Sequence, residues 1–270
     1  MNRQISEHHG KTVFITGGTS GINLGIAKGF AREGAKVAVI GRDSDRAASA
    51  QAEIKAECAK EGDAMGFSCD VRDYDAVEAA LARVAESYGS IDVLVAGAAG
   101  NFYAPLLGMS ANAFRTVVDI DLFGTFNTFR ASFPFLTKPG ASLIAISAGQ
   151  ADRASAMQAH ACAAKAGVNQ LTKVCAVEWG PAGIRANIIS PGGIADTVGV
   201  KFLSKDPAKF DEAINRIPGK RLGTVDEIAD AAKFLSSDAA RYINGQVIFV
   251  DGGLYAGDAS TDCLNPPPRE

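Results

Sequence analysis

Long apolar runs are missing from this sequence: no stretch approaches the about 18 residues that a membrane-spanning helix needs. The opening residues 1–10 are polar and lack the apolar centre of a signal peptide, so an unexported, cytoplasmic protein is expected. Cysteine is scarce. Cys58, Cys69, Cys162, Cys175 and Cys263 are odd in number, with no C-x-x-C pair and no metal-ligand spacing, which argues against a disulfide framework and against a zinc site. An excess of positive charge is absent as well: Lys and Arg number 27, Asp and Glu 30, and the signs are interspersed. Such a chain offers no basic field to nucleic acid or to an acidic membrane, and small molecules are the expected partners. There is no G-x-x-x-x-G-K-[ST] string, so phosphate-loop NTPase chemistry has no support.

What is present is a large apolar fraction, 47% of 270 residues, enough for one sizeable core. One domain over 1–270 is expected, with its core at about 10–255 and a tail at 256–270. Short β-branched runs at 12–16, 36–40, 64–69, 91–96, 142–147, 184–190 and 246–250 read as strands, and stretches of helical period separate nearly all of them. Because the runs are almost wholly apolar rather than alternating, the sheet should be parallel and covered on both faces, a doubly wound α/β fold. Ser110 reads as a helix cap, Gly180-Pro181 as a stop after Trp179, and Thr224-x-x-Glu227 as a capping box before Ile228. Two long helices are expected at 110–135 and 157–179. The irregular segment 191–211 reads as a lid, and 258–270, with Pro266-Pro267-Pro268, as a surface tail.

The first strand runs directly into Thr16-Gly17-Gly18-Thr19-Ser20-Gly21-Ile22-Asn23, followed by a helical pattern. A glycine-rich turn before a helix lets backbone N–H groups face a pyrophosphate, although tight turns need glycine for other reasons too. The second strand ends in Ile40-Gly41-Arg42 and lacks the carboxylate that would bind a ribose 2′-hydroxyl. Arg42 and Arg46 can instead pair with a 2′-phosphate, which favours NADP(H) over NAD; a solvated helix start is the plainer reading of Arg42. Asp70-Val71 after the third strand can accept from an adenine amino group and pack its ring, or can open a helix.

Together with Gly97-Ala98-Ala99-Gly100, Lys165, Pro191-Gly192 and Asp251-Gly252-Gly253, in order over about 10–255, these residues resemble the short-chain dehydrogenase/reductase family, which implies a Rossmann domain with a seven-stranded sheet. The chain departs from that family in four places. Asn23 replaces the last glycine of T-G-x-x-x-G-x-G; asparagine tolerates left-handed backbone, so the turn is expected to survive. Ala161 stands where Y-x-x-x-K has the tyrosine that, one helical turn from the lysine, protonates a carbonyl. Ala148 holds the serine position, one residue after Ser147, and Asp121 holds that of the active-site asparagine.

Asn101-Phe102, the run around Asp119-Ile120-Asp121, Gln158-x-His160-Ala161-x-x-Ala164-Lys165 and Glu178-Trp179-Gly180 are similar to the 2,4-dienoyl-CoA reductases, especially the peroxisomal type, which also lacks the tyrosine; Gln150 stands where the mitochondrial type supplies one. The resemblance implies reduction of dienoyl-CoA thioesters with NADPH. It assigns catalysis to Lys165, Asp121 and Asn101, and cofactor binding to Gly17, Thr19, Ser20, Gly21, Ile22, Arg42, Arg46, Asp70, Val71, Ala98, Lys165, Pro191, Gly192, Ile194 and Thr197. It places Phe102, Ser110 and Arg72 at the acyl-CoA substrate and implies a homotetramer built through 110–135 and 157–179. An acyl pocket should be apolar, and Phe102, Tyr103, Leu106, Leu107, Met109, Phe202 and Leu203 can line it. His160 reads as a packed histidine rather than an acid. A 3-oxoacyl-thioester or other carbonyl reductase, and an NADP-binding protein without turnover, are the competing readings. The tail ends in Arg-Glu, not a peroxisomal address.

Overall fold

The computed structural model describes residues 6–59, 62–195, 197, 207–261 and 264. Its strands are β1 (Thr12–Thr16), β2 (Lys36–Gly41), β3 (Asp63–Ser68), β4 (Val93–Ala96), β5 (Ser142–Ile146), β6 (Arg185–Pro191) and β7 (Val247–Val250). They form one parallel sheet in the order β3-β2-β1-β4-β5-β6-β7. The helices are α1 (Gly21–Arg32), α2 (Ser44–Glu57), α3 (Tyr74–Tyr88), α4 (Ala111–Val118), α5 (Gly124–Ser132), α6 (Ala159–Trp179), α7 (Pro207–Arg216) and α8 (Val225–Ser236). None of the described helices is long and apolar enough to cross a membrane.

The two-residue period of β1 explains the layers. Phe14 joins a core with Leu81 and Val84 of α3, Phe129 of α5 and Val168 of α6. Val13 and Ile15 point the other way, into a core with Ile26 and Phe30 of α1, Ile54 of α2 and Ile228 and Leu235 of α8. Both faces are therefore dry, as the apolar strands predict, and each such side chain stabilises the fold by about 1.5–3 kcal/mol. The chain leaves β1 toward β2 and β3, then returns to place β4 on the other side of β1. That reversal opens a crevice at the carboxyl ends of β1 and β4, where ligands bind in folds of this kind.

Three expected boundaries move. Strand β4 begins at Val93 because Ile91 pairs with Leu136 instead, and the Asp92 carboxylate accepts from Thr12 N (2.9 Å) and Thr137 Oγ1 (2.8 Å). The segment 110–135 is not one uniform helix: a π-helical turn, Asp119–Phe123, joins α4 to α5, and a 3₁₀ turn, Phe133–Phe135, closes it. A π turn shifts the phase of the side chains beyond it and is often found at functional sites. Helix α6 starts at Ala159, because Met157 has a left-handed φ of 65° that cannot continue a helix. The caps stand where the residues put them: Ser110 Oγ accepts from Ala113 N, and Thr224 and Glu227 form a reciprocal capping box on α8.

Helix α1, which starts at the glycine-rich turn, rests on α8 through glycines. A Cβ on Gly25 would come 2.6 Å from Val225 Cβ, and one on Gly29 2.8 Å from Ala229 Cβ. These are inside van der Waals contact, so a larger residue must push the helices apart. Replacing Gly29 by Val is expected to lower stability by about 1–3 kcal/mol, read as a lower midpoint in urea or thermal unfolding.

Candidate active site

At the carboxyl end of the sheet lies a cleft of about 1520 Å³. That exceeds the about 300–1,000 Å³ of a pocket for one drug-sized ligand and gives room for two molecules side by side. One end is the glycine-rich turn. Gly17 has a left-handed φ of 68°, and a Cβ there would sit 2.8 Å from Ala98 Cα. Ser20 is the N-cap of α1 yet makes no side-chain cap bond, so the first N–H groups of the helix have no side-chain partner from it. A glycine cradle opening onto a helix start whose first N–H groups receive no side-chain bond from Ser20 suits a pyrophosphate. Thr19, Ser20, Gly21 and Ile22 all border the cleft.

Asn23 does not stand in left-handed backbone. It lies inside α1, and among the described residues the non-glycine positions of positive φ are Met157 and Lys220. The position instead demands room beside Gly97: Asn23 Nδ2 donates to Gly97 O at 2.8 Å, and a Cβ on Gly97 would collide with the Asn23 amide.

Arg42 and Arg46 are exposed and border the cleft beyond β2. Asp43 between them caps α2, accepting from Asp45 N and Arg46 N at 3.0 Å each. Asp70 and Val71 border the cleft after β3. The Arg72 guanidinium grips Asp70 in bidentate fashion (2.6 and 3.0 Å) and holds its carboxyl below the usual range. Arg72 therefore faces Asp70 and does not border the cleft.

At the other end Lys165 of α6 and Asp121 of the π turn are both buried, with Nζ and Oδ2 3.3 Å apart. Lys165 Nζ also donates to Ile146 O (2.9 Å), and Asp121 Oδ1 accepts from Gly100 N (2.7 Å). Each buried charge thus has its opposite and a backbone partner, the condition for keeping ions out of water. Ala161 and Ala148 border the same space, together with Asn101, Phe102, Tyr103, Gln150, Met157 and Ser147, whose buried hydroxyl has no partner among the described residues. Pro191, Gly192, Ala98 and Thr197 border it as well, and Thr197 Oγ1 donates to Ile194 O (2.7 Å). Ile194 is buried in the core beside α1 and α8 rather than at the cleft.

Ser110 is engaged as a helix cap, and Leu106 and Leu107 are exposed outside the cleft. Phe202 and Leu203, and residues 196 and 198–206 of the expected lid, lie outside the described residues, as do 262–263 and 265–270 of the tail. Sequence reasoning did not find Met157, whose left-handed backbone presents its carbonyl to Ala104 N (2.9 Å), nor the clasp of Asn23 on Gly97. No local signal marks the first. The second left a trace in the missing glycine.

The chain matches the family model described as enoyl-(acyl carrier protein) reductase over residues 17–255, and it belongs to that short-chain dehydrogenase/reductase family. It is 41% identical to the peroxisomal 2,4-dienoyl-CoA reductase of Saccharomyces cerevisiae over 248 residues, 91% of this chain and 84% of that protein. It is 42% identical to the peroxisomal 2,4-dienoyl-CoA reductase of Rattus norvegicus over the same shares. A crystal structure of a short chain dehydrogenase from Bacillus anthracis superposes with a TM-score of 0.83 at 37% identity, covering 93% of this chain and 98% of that one. The chain is an oxidoreductase of this family, and its cleft fits a nicotinamide dinucleotide: at Gly17, and at Gly192, where a Cβ would lie 2.7 Å from Asp251 Cα, backbone meets backbone to leave the floor open.

His160 is wholly buried behind this site, edge-on to Phe102 with ring centroids 4.3 Å apart. Burial pushes its imidazole below the ordinary value, and the nearby Asp121 carboxylate opposes the shift. The folded chain then keeps the ring neutral while the unfolded chain takes up a proton near pH 6.5, so stability is lost as pH falls from about 6.5 toward the lower folded value. A His160→Phe variant keeps a ring against Phe102 without this titration. Its melting temperature is expected to drop less than that of the parent between pH 7.5 and 5.5, and an equal drop in both would refute the assignment.

Proposed function

We propose that this oxidoreductase reduces 2,4-dienoyl-CoA thioesters with NADPH. The observation that carries the reading is the pairing of Lys165 with buried Asp121 opposite Ala161: the lysine is kept, and a carboxylate rather than a phenol is the acid-base group at its side. Relatives named for that reaction match over nine-tenths of the chain. Reduction of a conjugated thioester needs no proton on oxygen at the start. Negative charge moves through the conjugated system to the thioester oxygen, where a hydrogen-bond donor must meet it, and a carbon is protonated afterwards. A ketone reduction, by contrast, needs a proton at the oxygen itself, and neither Ala161 nor Ala148 carries one.

When bound, the dinucleotide supplies the hydride. The chain would hold its pyrophosphate at Gly17 to Ile22, its 2′-phosphate at Arg42 and Arg46, its adenine at Asp70 and Val71, its nicotinamide ribose at Lys165, and its nicotinamide beside Pro191, Gly192 and Thr197. Asn101, exposed at the cleft, donates its side-chain N–H to the thioester oxygen. Asp121 relays a proton taken up from solvent to the substrate carbon, directly or through a water in the space left by Ala161, while the Gly100 N–H and Lys165 hold the carboxylate in place. Phe102, Tyr103 and Met157 give the mouth of the cleft an apolar wall suited to an acyl chain. Exposed Phe123, Phe126, Val174 and Val177 on α5, α6 and the turn before α5 suit burial between subunits, which supports a homotetramer. The four described cysteines are free, consistent with a reducing compartment such as the cytoplasm.

The reading is tested by NADPH consumption with a medium-chain trans-2,trans-4-dienoyl-CoA, beside a 3-oxoacyl-CoA and an NADH control. Dienoyl-dependent oxidation that prefers NADPH is expected; turnover of the 3-oxoacyl thioester alone would exclude the assignment. Asp121→Asn should keep the bond from Gly100 yet lower kcat by about 10²-fold or more. An unchanged rate and pH profile in that variant would remove Asp121 from the proton path. Losing one charge-assisted phosphate contact in Arg42→Ala should raise the NADPH dissociation constant about tenfold, with little change for NADH.

A further inference from the structure

Between the glycine-rich turn and the Asp121 carboxylate runs a short strap, residues 97–101, held at both ends. At its start Thr16 Oγ1 accepts from Gly97 N (3.1 Å) and Ala98 N (3.4 Å), and Asn23 Nδ2 donates to Gly97 O (2.8 Å). At its far end Gly100 N donates to Asp121. Asn101 follows immediately. The turn also meets the strap backbone to backbone at Gly17, where a side chain would strike Ala98, and the Asn23 side-chain amide packs against the backbone of Gly97.

Asn23 sits in this contact at a cost. It is 9% exposed, and its Oδ1 has no hydrogen-bond partner among the described residues. A buried acceptor left in that state costs about 1–3 kcal/mol, a penalty that a glycine at this position would not carry. The compensating feature is the bond to Gly97, which joins the first turn of α1 to the loop after β4, 74 residues further along the chain.

We propose that Asn23 is a positioning residue: its amide ties the 97–101 strap to the turn that receives the dinucleotide phosphates, so that filling the turn rigidifies the strap and sets the side chain of Asn101. The functional consequence rests on the proposed role of Asn101, whereas the mechanical tie depends on dinucleotide binding alone. Two readouts therefore separate the two.

Hydrogen–deuterium exchange of the whole chain with and without NADPH reads the tie. Addition of NADPH should slow exchange over 97–100 in the parent, and Asn23→Gly should lose about five- to tenfold of that gain, the worth of one hydrogen bond, while the amides of 17–22 stay protected. In the reductase assay the same variant should lose about five- to tenfold in kcat, with the thioester KM changed by less than about twofold. The double variant Asn23→Gly/Gly97→Ala refills the vacated volume without restoring the bond and should remain uncoupled. Asn23→Ala serves the same comparison if Asn23→Gly does not fold. Full NADPH-dependent protection of the strap in Asn23→Gly overturns the proposal, as does its return in the double variant, which would make packing the cause. Loss of protection together with no turnover of a dienoyl thioester by the parent supports the tie and overturns the substrate reading.

Discussion

The Asp121 carboxylate is the point on which the reacting end of the cleft depends. It lies 1% exposed on a π-helical turn, with Gly100 N–H on one oxygen and the Lys165 ammonium 3.3 Å from the other. Three elements that are distant in sequence, the loop after β4, the helix pair α4–α5 and the long helix α6, converge on this one group. Removing Lys165 or Asp121 would leave the other as an unpaired buried charge, a far larger penalty than the loss of a surface ion pair. The chemistry and the local stability therefore rest on the same contacts.

The cofactor end follows a different rule, set by space rather than charge. Gly17 and Gly192 are places where backbone passes within reach of backbone, and any side chain would close the floor of the cleft. The arginines beyond β2 stand at the rim in solvent, where a phosphate can reach them, and the contact of Arg46 with the Asp43 carboxylate is long, at 4.0 Å. Between the two ends lies the strap at 97–101, whose backbone is held by Asn23 at Gly97 O and by Asp121 at Gly100 N. A site assembled in this way is shaped mainly by backbone positions, which the dry, two-faced sheet beneath it holds still.

Much of this was legible in the residues. Apolar β-branched runs separated by amphipathic stretches determine a covered parallel sheet, because burying both faces requires that pattern and no other arrangement of the chain satisfies it as well. The strands came out within two residues of expectation, and the caps at Ser110 and Thr224 within none, since a cap is a local bond between a side chain and its own helix. The pairing of Lys165 with Asp121 was foreshadowed only through family spacing. Nothing local in the run around Asp119-Ile120-Asp121 announces a π turn, because its energy difference from an α turn is settled by what packs against it.

Asn23 shows the boundary between the two kinds of knowledge. Read along the chain, it was a substitution in a glycine motif and a question of backbone dihedral; in three dimensions its backbone is ordinary helix and its importance lies in a carbonyl 74 positions away. By itself the sequence determined the layers, the order of elements, the glycine turn and the absence of a phenol at Ala161, all properties of single residues or of near neighbours. Only the tertiary structure decided which buried groups meet, that Arg72 faces Asp70, that Met157 ends a loop instead of opening a helix, and that Asn23 clasps Gly97. Such contacts form when distant segments close on one another, and their energies are set by distances that no local pattern encodes.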